Sequence, residues 1–246
     1  QYLMAHGFSA IILTNIRLLI SGAVLILFAY LSDKEKFFAF LKDKSSYLSL
    51  ILFAFLGLLL TQLTYLIAIA ETNAGTATVL QYVCPVGVLA YTCVKDRVGP
   101  TVSEIASMLL AIGGTFLIAT HGQLHQLAIT PKGLGWGLFS AFAYALYIIL
   151  PLNLIKKWGS MPVIGVGMLL PGILMVPFSG LVSFQGHYSS DNLLALFGLI
   201  VLGTIFAYTV FLKGTSMVGA VKGSLLASIE PISAVFFAYL IMNDQF

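Results

Sequence analysis

The chain has 246 residues, of which 59% are hydrophobic and only 9% are charged. Soluble domains carry about 25% charged residues, so this composition excludes an ordinary soluble domain and predicts an integral membrane protein. The formal net charge of +3 gives no indication of nucleic-acid binding, because the basic residues are not gathered on one amphipathic face.

Apolar stretches of about 20 residues follow one another along the chain, and this is the length that a helix needs to cross a bilayer. Eight spans are predicted, at 8–31, 47–69, 75–94, 101–119, 134–155, 162–183, 192–212 and 219–242. The linkers between them are short, so no soluble domain is expected. The predicted fold is therefore all-α, a polytopic membrane helix bundle.

The basic residues of the linkers are distributed very unevenly between the two predicted sides. The loops of one side carry Lys34, Lys36, Lys42, Lys44, Lys95, Arg97, Lys156, Lys157, Lys213 and Lys222. The loops of the other side carry only Lys132. Cytoplasmic loops are enriched in lysine and arginine, so the first side is expected to be cytoplasmic and the segment before residue 8 external.

The third and eighth spans echo each other through a few landmarks. A shift of 146 positions places Pro85 on Pro231 and Leu80 on Leu226, and it maps the second span onto the seventh. The period is therefore five spans, and because five is odd, the two repeats are expected to sit inverted in the membrane. The predicted repeats are 1–125 and 133–246, and the simplest whole has ten helices, of which this chain holds the second to the ninth.

A carboxylate followed by a proline, Glu230-Pro231, lies near the middle of the eighth span. A charge at that depth costs about 2.5–3.5 kcal/mol on insertion scales, and proline removes a helical hydrogen bond. Lipid tolerates a broken helix only where protein or a water-filled cavity meets the freed backbone groups. Glu230 is therefore expected to face the bundle interior, with Pro85 and Pro231 at a similar depth beside a polar cavity. The alternative is a structural acid paired with a neighbour.

Further polar groups inside the spans are candidates for a substrate or proton path. Arg17, in the outer part of the first span, is expected either to reach out to the membrane surface or to bind an anionic group inside the bundle. The other candidates, which lie near the two prolines or at mid-span, are Gln62, Tyr65, Gln81, Tyr82, Trp136, Tyr144, Tyr208, Ser224 and Ser228. Each of them, taken alone, is more often a packing or interface residue than a ligand, but as a group they are candidates to line a polar cavity.

Other chemically distinctive residues are assigned structural roles. Thr101 to Glu104 has the pattern of a capping box, so Glu104 is expected to cap the fourth span. Cys84 and Cys93 lie nine residues apart in one span, a spacing that closes no disulfide within a straight helix. No metal site and no cofactor are expected.

Taken together, these segments resemble the EamA-type transporters of the drug/metabolite transporter superfamily. The resemblance rests on the spans TATVLQYVCPVGVLAYTCVKDR and KGSLLASIEPISAVFFAYLIMND, on the early NIRLLISG with its arginine, and on GWGLFSAFAYALY at the start of the second half. It implies ten helices in two inverted repeats around a central substrate cavity, in proteins that typically export amino acids or related metabolites. One departure is Cys84-Pro85, which stands where the first repeat of the family often has an acid before its proline.

The resemblance favours a secondary transporter in the cell membrane, working by alternating access with Glu230 near the pivot. Its expected partners are a small-molecule substrate, the lipid bilayer and, through Glu230, protons. One alternative is an intramembrane enzyme, although the sequence has no HExxH motif and no paired aspartates within its spans. Another is a membrane scaffold or sensor that transports nothing, which would lack a continuous polar path.

Overall fold

The structure is a computed structural model that describes residue 3 and residues 7–120, 130–181 and 189–230. Within these ranges the chain is helical and contains no strand. The helices, in chain order, are α1 (Ala10–Ser32), α2 (Lys34–Lys42), α3 (Lys44–Glu71), α4 (Ala74–Gln81), α5 (Cys84–Asp96), α6 (Val102–Thr120), α7 (Pro131–Ile149), α8 (Leu152–Trp158), α9 (Ser160–Ser179), α10 (Ser190–Val218) and α11 (Ala220–Ala227).

Six helical stretches in the described ranges are long and apolar enough to cross a membrane, which confirms a polytopic helical membrane protein. They are Ala10–Ser32, Lys44–Glu71, Gly75–Asp96, Pro131–Trp158, Ser160–Ser179 and Ser190–Val218. They coincide with the first three and the fifth to seventh predicted spans. The fourth corresponds to α6, whose apolar part Val102–Gly114 is shorter. The eighth continues beyond residue 230, outside the described residues, so the count of eight stays a prediction.

Two kinds of local irregularity occur once in each half of the chain. α3 widens into a π-helix over Phe53–Leu59, and α10 does so over Val201–Phe206. The helix that follows each of them is short, since α4 ends with Tyr82 as its C-cap and α11 ends with Ser228. Tyr82 and Ser228 are 146 positions apart, as are Pro85 and Pro231. Proline lacks the N–H that would bond the carbonyl four residues back, which explains why both helices stop where they do.

The described chain divides into two compact units. Unit 1 contains residues 1–63 and 150–217, and unit 2 contains residues 64–149 and 218–246. In unit 1, α1 packs along α9. In unit 2, α4 and α5 both pack against α7, and α11 packs against α5. Each unit therefore combines helices from both halves of the sequence.

The contact of α1 with α9 in unit 1 depends on glycines that let the two backbones approach. A Cβ added at Gly22 would lie 2.6 Å from the backbone nitrogen of Leu169 and 2.9 Å from its Cα. One added at Gly172 would lie 3.1 Å from the backbone nitrogen of Leu19. Lipid provides no hydrophobic force between helices, so close packing through small residues is what stabilises such a pair.

Gly22→Ala is expected to destabilise unit 1, because the added methyl meets backbone that cannot turn aside. Overpacking of this kind costs about 1–3 kcal/mol, which thermal unfolding of the purified protein in detergent would detect as a lower midpoint. Gly135→Ala is the matched control, since its added Cβ meets no atom within 4 Å. Equal midpoints for wild type and Gly22→Ala would contradict the close approach.

At one end of unit 1, side chains of two predicted cytoplasmic loops form an ion pair and a hydrogen bond with each other. Lys157 Nζ lies 2.6 Å from Asp43 Oδ2, and Trp158 Nε1 donates to Ser46 Oγ at 3.2 Å. The hydrogen bond from Lys157, with those from Ser45 and Ser46, holds the pKa of the Asp43 carboxyl well below its usual value. The loops around Lys44 and Lys157 therefore meet at one end, as expected for two loops on the same side of the membrane.

The predicted capping box at the start of α6 is confirmed. The backbone N–H of Thr101 donates to Glu104 Oε2 at 2.8 Å, and the backbone N–H of Glu104 donates to Thr101 Oγ1 at 3.2 Å. This reciprocal pair satisfies two N–H groups that a helix start leaves without intrahelical partners. The carboxylate of Glu104 thus has the structural role that the sequence predicted.

Candidate functional site

In unit 2, the break between α4 and α5 brings Tyr82 to the carboxylate of Glu230. Pro85 deprives the carbonyl of Gln81 of its helical donor, so α4 stops at Gln81 and the chain turns at Tyr82 before α5 begins. The Tyr82 hydroxyl, on a buried side chain, lies 2.8 Å from Glu230 Oε2. It also lies 2.8 Å from the backbone oxygen of Ala227. One phenol therefore faces two acceptors.

The carbonyl of Ala227 has no helical hydrogen-bond donor, because the residue four positions further on is a proline. Position 231 is proline and has no N–H, so the usual helical donor to this carbonyl does not exist. A buried carbonyl without a donor costs about 1–3 kcal/mol, and Tyr82 Oη supplies the bond instead. The structure of Pro231 itself lies outside the described residues.

Glu230 belongs to the exposed residues, in contrast to the buried Tyr82 that contacts it. Glu230 bonds to the buried Tyr82, yet its side chain as a whole is accessible, so the expectation that it faces the bundle interior stays a prediction. Residues 231–246, which come directly after it, lie outside the described part of the chain. The role predicted for this carboxylate remains a proposal.

The other predicted polar residues of unit 2 differ in how far they are already satisfied. Ser224 is buried, and its hydroxyl donates to the carbonyl of Val221 in its own helix at 2.8 Å. Ser228, half-buried, has no partner for its hydroxyl among the described residues, and it lines a cavity of about 250 Å³ together with Gly114 and Leu225. Tyr65 Oη lies 2.9 Å from Thr78 Oγ1. Ser228 is thus the free hydroxyl of this group.

The remaining predicted residues of unit 2 lie in packed surroundings. Gln81 and Pro85 are buried. Trp136 contacts the ring of Phe139 at 6.2 Å between centroids, and Tyr144 stacks on Tyr147 at 5.6 Å. These contacts agree with the packing role that the sequence left open for each of them.

In unit 1, Arg17 is held by two hydroxyl groups and by an aromatic ring. Its Nε donates to Thr204 Oγ1 at 3.0 Å, and its Nη2 approaches Tyr208 Oη at 3.4 Å. Its guanidinium carbon lies 6.0 Å from the centre of the Tyr208 ring. Both hydrogen-bonding partners are hydroxyl groups. Among the described residues no carboxylate forms an ion pair with Arg17, so its positive charge is available to an anion.

Thr204, which binds Arg17, lies in the π-helical segment of α10. The Thr204 hydroxyl donates to the carbonyl of Leu199, five residues back, at 2.8 Å, and its oxygen also receives the bond from Arg17. This threonine was missed by the sequence analysis, because a single threonine in an apolar run has no recognisable pattern. Its partner Tyr208, in contrast, was predicted.

Two further buried side chains of unit 1 have polar atoms without partners among the described residues. Both the nitrogen and the oxygen of the Gln62 amide are unsatisfied, although Gln62 is only 3% exposed. Asn15 donates to the carbonyl of Gly172 at 3.0 Å, while its own oxygen has no donor. Unsatisfied buried amides are costly and are therefore candidate ligand contacts. Gln62 was predicted from the sequence and Asn15 was not.

Such an arrangement, with charged and polar groups inside a bundle of apolar helices, defines a multi-pass cell-membrane protein. Comparison with known sequences gives the family. The sequence model of the EamA-like transporter family matches residues 1–120 and again 131–246, so the chain belongs to this family. Membership in a family of transporters fits a protein that is not an enzyme.

Individual relatives agree with this assignment. The uncharacterized inner membrane transporter YicL of Salmonella typhimurium is 36% identical over 247 residues, covering 100% of this chain and 82% of its own length. The uncharacterized transporter YdfC of Bacillus subtilis is 25% identical over 97% of this chain and 76% of its own length. YcbK of the same organism is 22% identical over 76% of this chain and 62% of its own length. No solved structure matches the chain.

Proposed function

We propose that the protein is a secondary transporter that exports an amino acid or a related small metabolite by alternating access. The observation that carries this proposal is the position of the Tyr82 phenol between the carboxylate of Glu230 and the carbonyl of Ala227. A transporter that couples substrate to protons needs a group whose proton affinity depends on its surroundings. We assign this role to the Glu230 carboxylate, which shares the Tyr82 hydroxyl with the Ala227 carbonyl.

In the contact, one phenol lies within hydrogen-bonding distance of two acceptors. A phenol has one proton, so it cannot donate fully to two acceptors at the same time. When Glu230 is protonated, its carboxyl donates to the Tyr82 oxygen, and Tyr82 donates to the Ala227 carbonyl, so both bonds form. When Glu230 is ionised, the two acceptors compete for one donor. Hydration of the carboxylate favours the ionised form, and exclusion of water favours the neutral form. A change in the access of water to Glu230 would therefore make this carboxylate take up or release a proton.

A separate role is proposed for Arg17. Arg17 extends from the apolar helix α1, and its guanidinium bonds hydroxyl groups of α10. Arginine forms stronger, bidentate hydrogen bonds with carboxylates. A substrate carboxylate can replace or supplement the bond to Tyr208 Oη, which is long at 3.4 Å. An amino acid carries such a carboxylate, as do related organic acids.

The repeat architecture supports the proposed mechanism. The family model matches the chain twice, the helix breaks at Tyr82 and Ser228 are 146 positions apart, and each is preceded by a helix with a π-segment. We propose two repeats, 1–125 and 133–246, inverted relative to each other in the membrane. Matched interrupted helices in two inverted halves are typical of transporters that alternate between two access states.

Uptake into proteoliposomes tests the proposed function. The full-length protein would be reconstituted and offered a panel of labelled amino acids, their decarboxylated amines and their deaminated acids, with and without an imposed proton gradient. We expect saturable flux of at least one carboxylate-bearing compound, stimulated by the gradient, and none in protein-free liposomes. Absence of saturable flux for the whole panel would reject the substrate class, and flux that ignores the gradient would reject proton coupling.

A further inference from the structure

The loop end of unit 1 contains a cavity of about 520 Å³ that the proposed transport function does not use. Its volume lies within the roughly 300–1,000 Å³ typical of pockets that hold small molecules. Three lysines line it, Lys36, Lys156 and Lys213, and each comes from a different predicted cytoplasmic loop. Like charges gathered in one cavity repel each other unless an anion joins them.

Acidic groups of the described chain do not neutralise these lysines. The one ion pair among the described residues joins Asp43 to Lys157, and neither residue lines the cavity. Asp33 does line the cavity, but its carboxylate accepts the backbone N–H of Lys36 at 2.9 Å and so caps α2. The cavity lining therefore has three lysines and one carboxylate, which leaves an excess of positive charge.

The start of α9 adds donors to the same cavity. The N-cap of this 20-residue helix is Gly159, which has no side chain to cap the first N–H groups. Gly159, Ser160 and Met161 all line the cavity. Ser160, the first residue of this helix, is 7% exposed. Free N–H groups and the positive end of the helix dipole at a helix start favour an anionic oxygen there.

The rest of the lining is apolar, which distinguishes the site from one for a free inorganic anion. Phe37, Ile155 and Pro162 contribute apolar walls. Met161 and Met217, also part of the lining, are 40% and 79% exposed. A ligand that satisfies both kinds of wall has an anionic oxygen group joined to a hydrocarbon chain.

We propose that this cavity binds the headgroup of an anionic phospholipid from the cytoplasmic leaflet. The phosphate lies among Lys36, Lys156 and Lys213 at the start of α9, and an acyl chain runs along the exposed methionines. Basic pockets between membrane helices on the cytoplasmic side suit anionic headgroups, and the lysine distribution predicts that side for all three. A bound lipid would hold together loops that carry like charges.

Tryptophan fluorescence offers a direct test, since Trp158 lines the cavity and the chain has only one other tryptophan, Trp136. In Trp136→Phe, with any tryptophan outside these 246 residues also replaced by phenylalanine, Trp158 is the only reporter. Brominated phosphatidylglycerol, titrated into the detergent-solubilised full-length protein, is expected to quench Trp158 at a mole fraction about 10-fold lower than brominated phosphatidylcholine does. Equal quenching by the two lipids would overturn the proposal.

Matched charge removals separate the cavity from general surface attraction. The triple substitution Lys36→Gln, Lys156→Gln, Lys213→Gln should abolish the preference for phosphatidylglycerol. The triple substitution Lys34→Gln, Lys42→Gln, Lys44→Gln removes the same charge from the same predicted side, outside the lining, and should preserve it. Equal losses in both variants would reject a defined site. If the first triple variant fails to fold, Lys156→Gln alone, on an exposed residue, should weaken the preference.

A final arm distinguishes a lipid from a soluble phosphate. Inorganic phosphate and glycerol phosphate, at millimolar concentrations that leave total ionic strength constant, should not relieve quenching by brominated phosphatidylglycerol. Relief by either compound would show that the cavity takes a soluble phosphate and would overturn the lipid assignment. Since the readout is binding, failure of the transport assay leaves this test unaffected.

Discussion

Glu230→Gln is expected to abolish proton-driven transport. The substitution keeps the size of the side chain but removes the group that takes up the proton, so the contact with Tyr82 no longer changes with pH. Replacing a hydrogen bond to a charged group by one to a neutral amide costs up to about 1.5–3 kcal/mol, so any flux that remains should be roughly 10- to 100-fold slower and independent of external pH. Initial rates in proteoliposomes over a range of external pH values would measure this, with expression and thermal midpoint checked in parallel.

Two further variants make the result on Glu230 specific. Glu35→Gln removes a carboxylate from an exposed position on α2 and should transport as wild type does. Tyr82→Phe removes the phenol but keeps the carboxylate, so it should shift the pH profile of transport without eliminating it. Wild-type flux and wild-type pH dependence in Glu230→Gln would instead leave this acid with a purely structural role.

Arg17→Gln is expected to raise the KM for carboxylate-bearing substrates by about 10- to 100-fold, as loss of a charge-assisted hydrogen bond predicts. Arg17→Lys keeps the charge but loses the planar fork, so its KM should lie between those of wild type and Arg17→Gln. The chain has one other arginine, Arg97, which is exposed at the end of α5. Arg97→Gln is therefore the matched control.

Comparison of substrates separates binding from stability in the Arg17 variants. KM for an amino acid should rise in Arg17→Gln, whereas KM for the corresponding decarboxylated amine, where it is transported at all, should change little. An equal loss for both compounds would mean that Arg17 supports the contact with α10 rather than the substrate. In that case the bonds to Thr204 and Tyr208 would be structural.

The sequence predicted the features that depend on length, periodicity and single special residues. The apolar stretches predicted six helices that the described structure contains, and Thr101 with Glu104 predicted the cap of α6. The prolines predicted interrupted helices, and α4 does end at Gln81, four residues before Pro85. Each of these effects is local, because the hydrogen-bonding pattern of a few neighbouring residues determines it.

The features that the sequence did not predict depend on contacts between distant residues or on small changes in helical winding. The π-segments of α3 and α10 are apolar, as are the α-helical turns around them. The hydrophobic pattern of the sequence therefore does not distinguish them from α-helix. α2 was expected to be part of a charged linker, yet Asp33 caps it and Phe37 and Phe40 are buried. Thr204 accepts a hydrogen bond from Arg17, which comes 187 positions earlier in the chain. This contact exists only because α1 and α10 lie side by side in the folded unit.

The proposed transport mechanism depends on one binding site that opens alternately to the two sides of the membrane, and counterflow measures this most directly. Proteoliposomes loaded with unlabelled substrate would be diluted into a trace of the same labelled substrate, with no ion gradient present. The proposal predicts that label accumulates transiently above its equilibrium level, because each outward passage of unlabelled substrate returns a binding site that can bring label in. A simple rise of label to equilibrium, without any overshoot, would contradict alternating access.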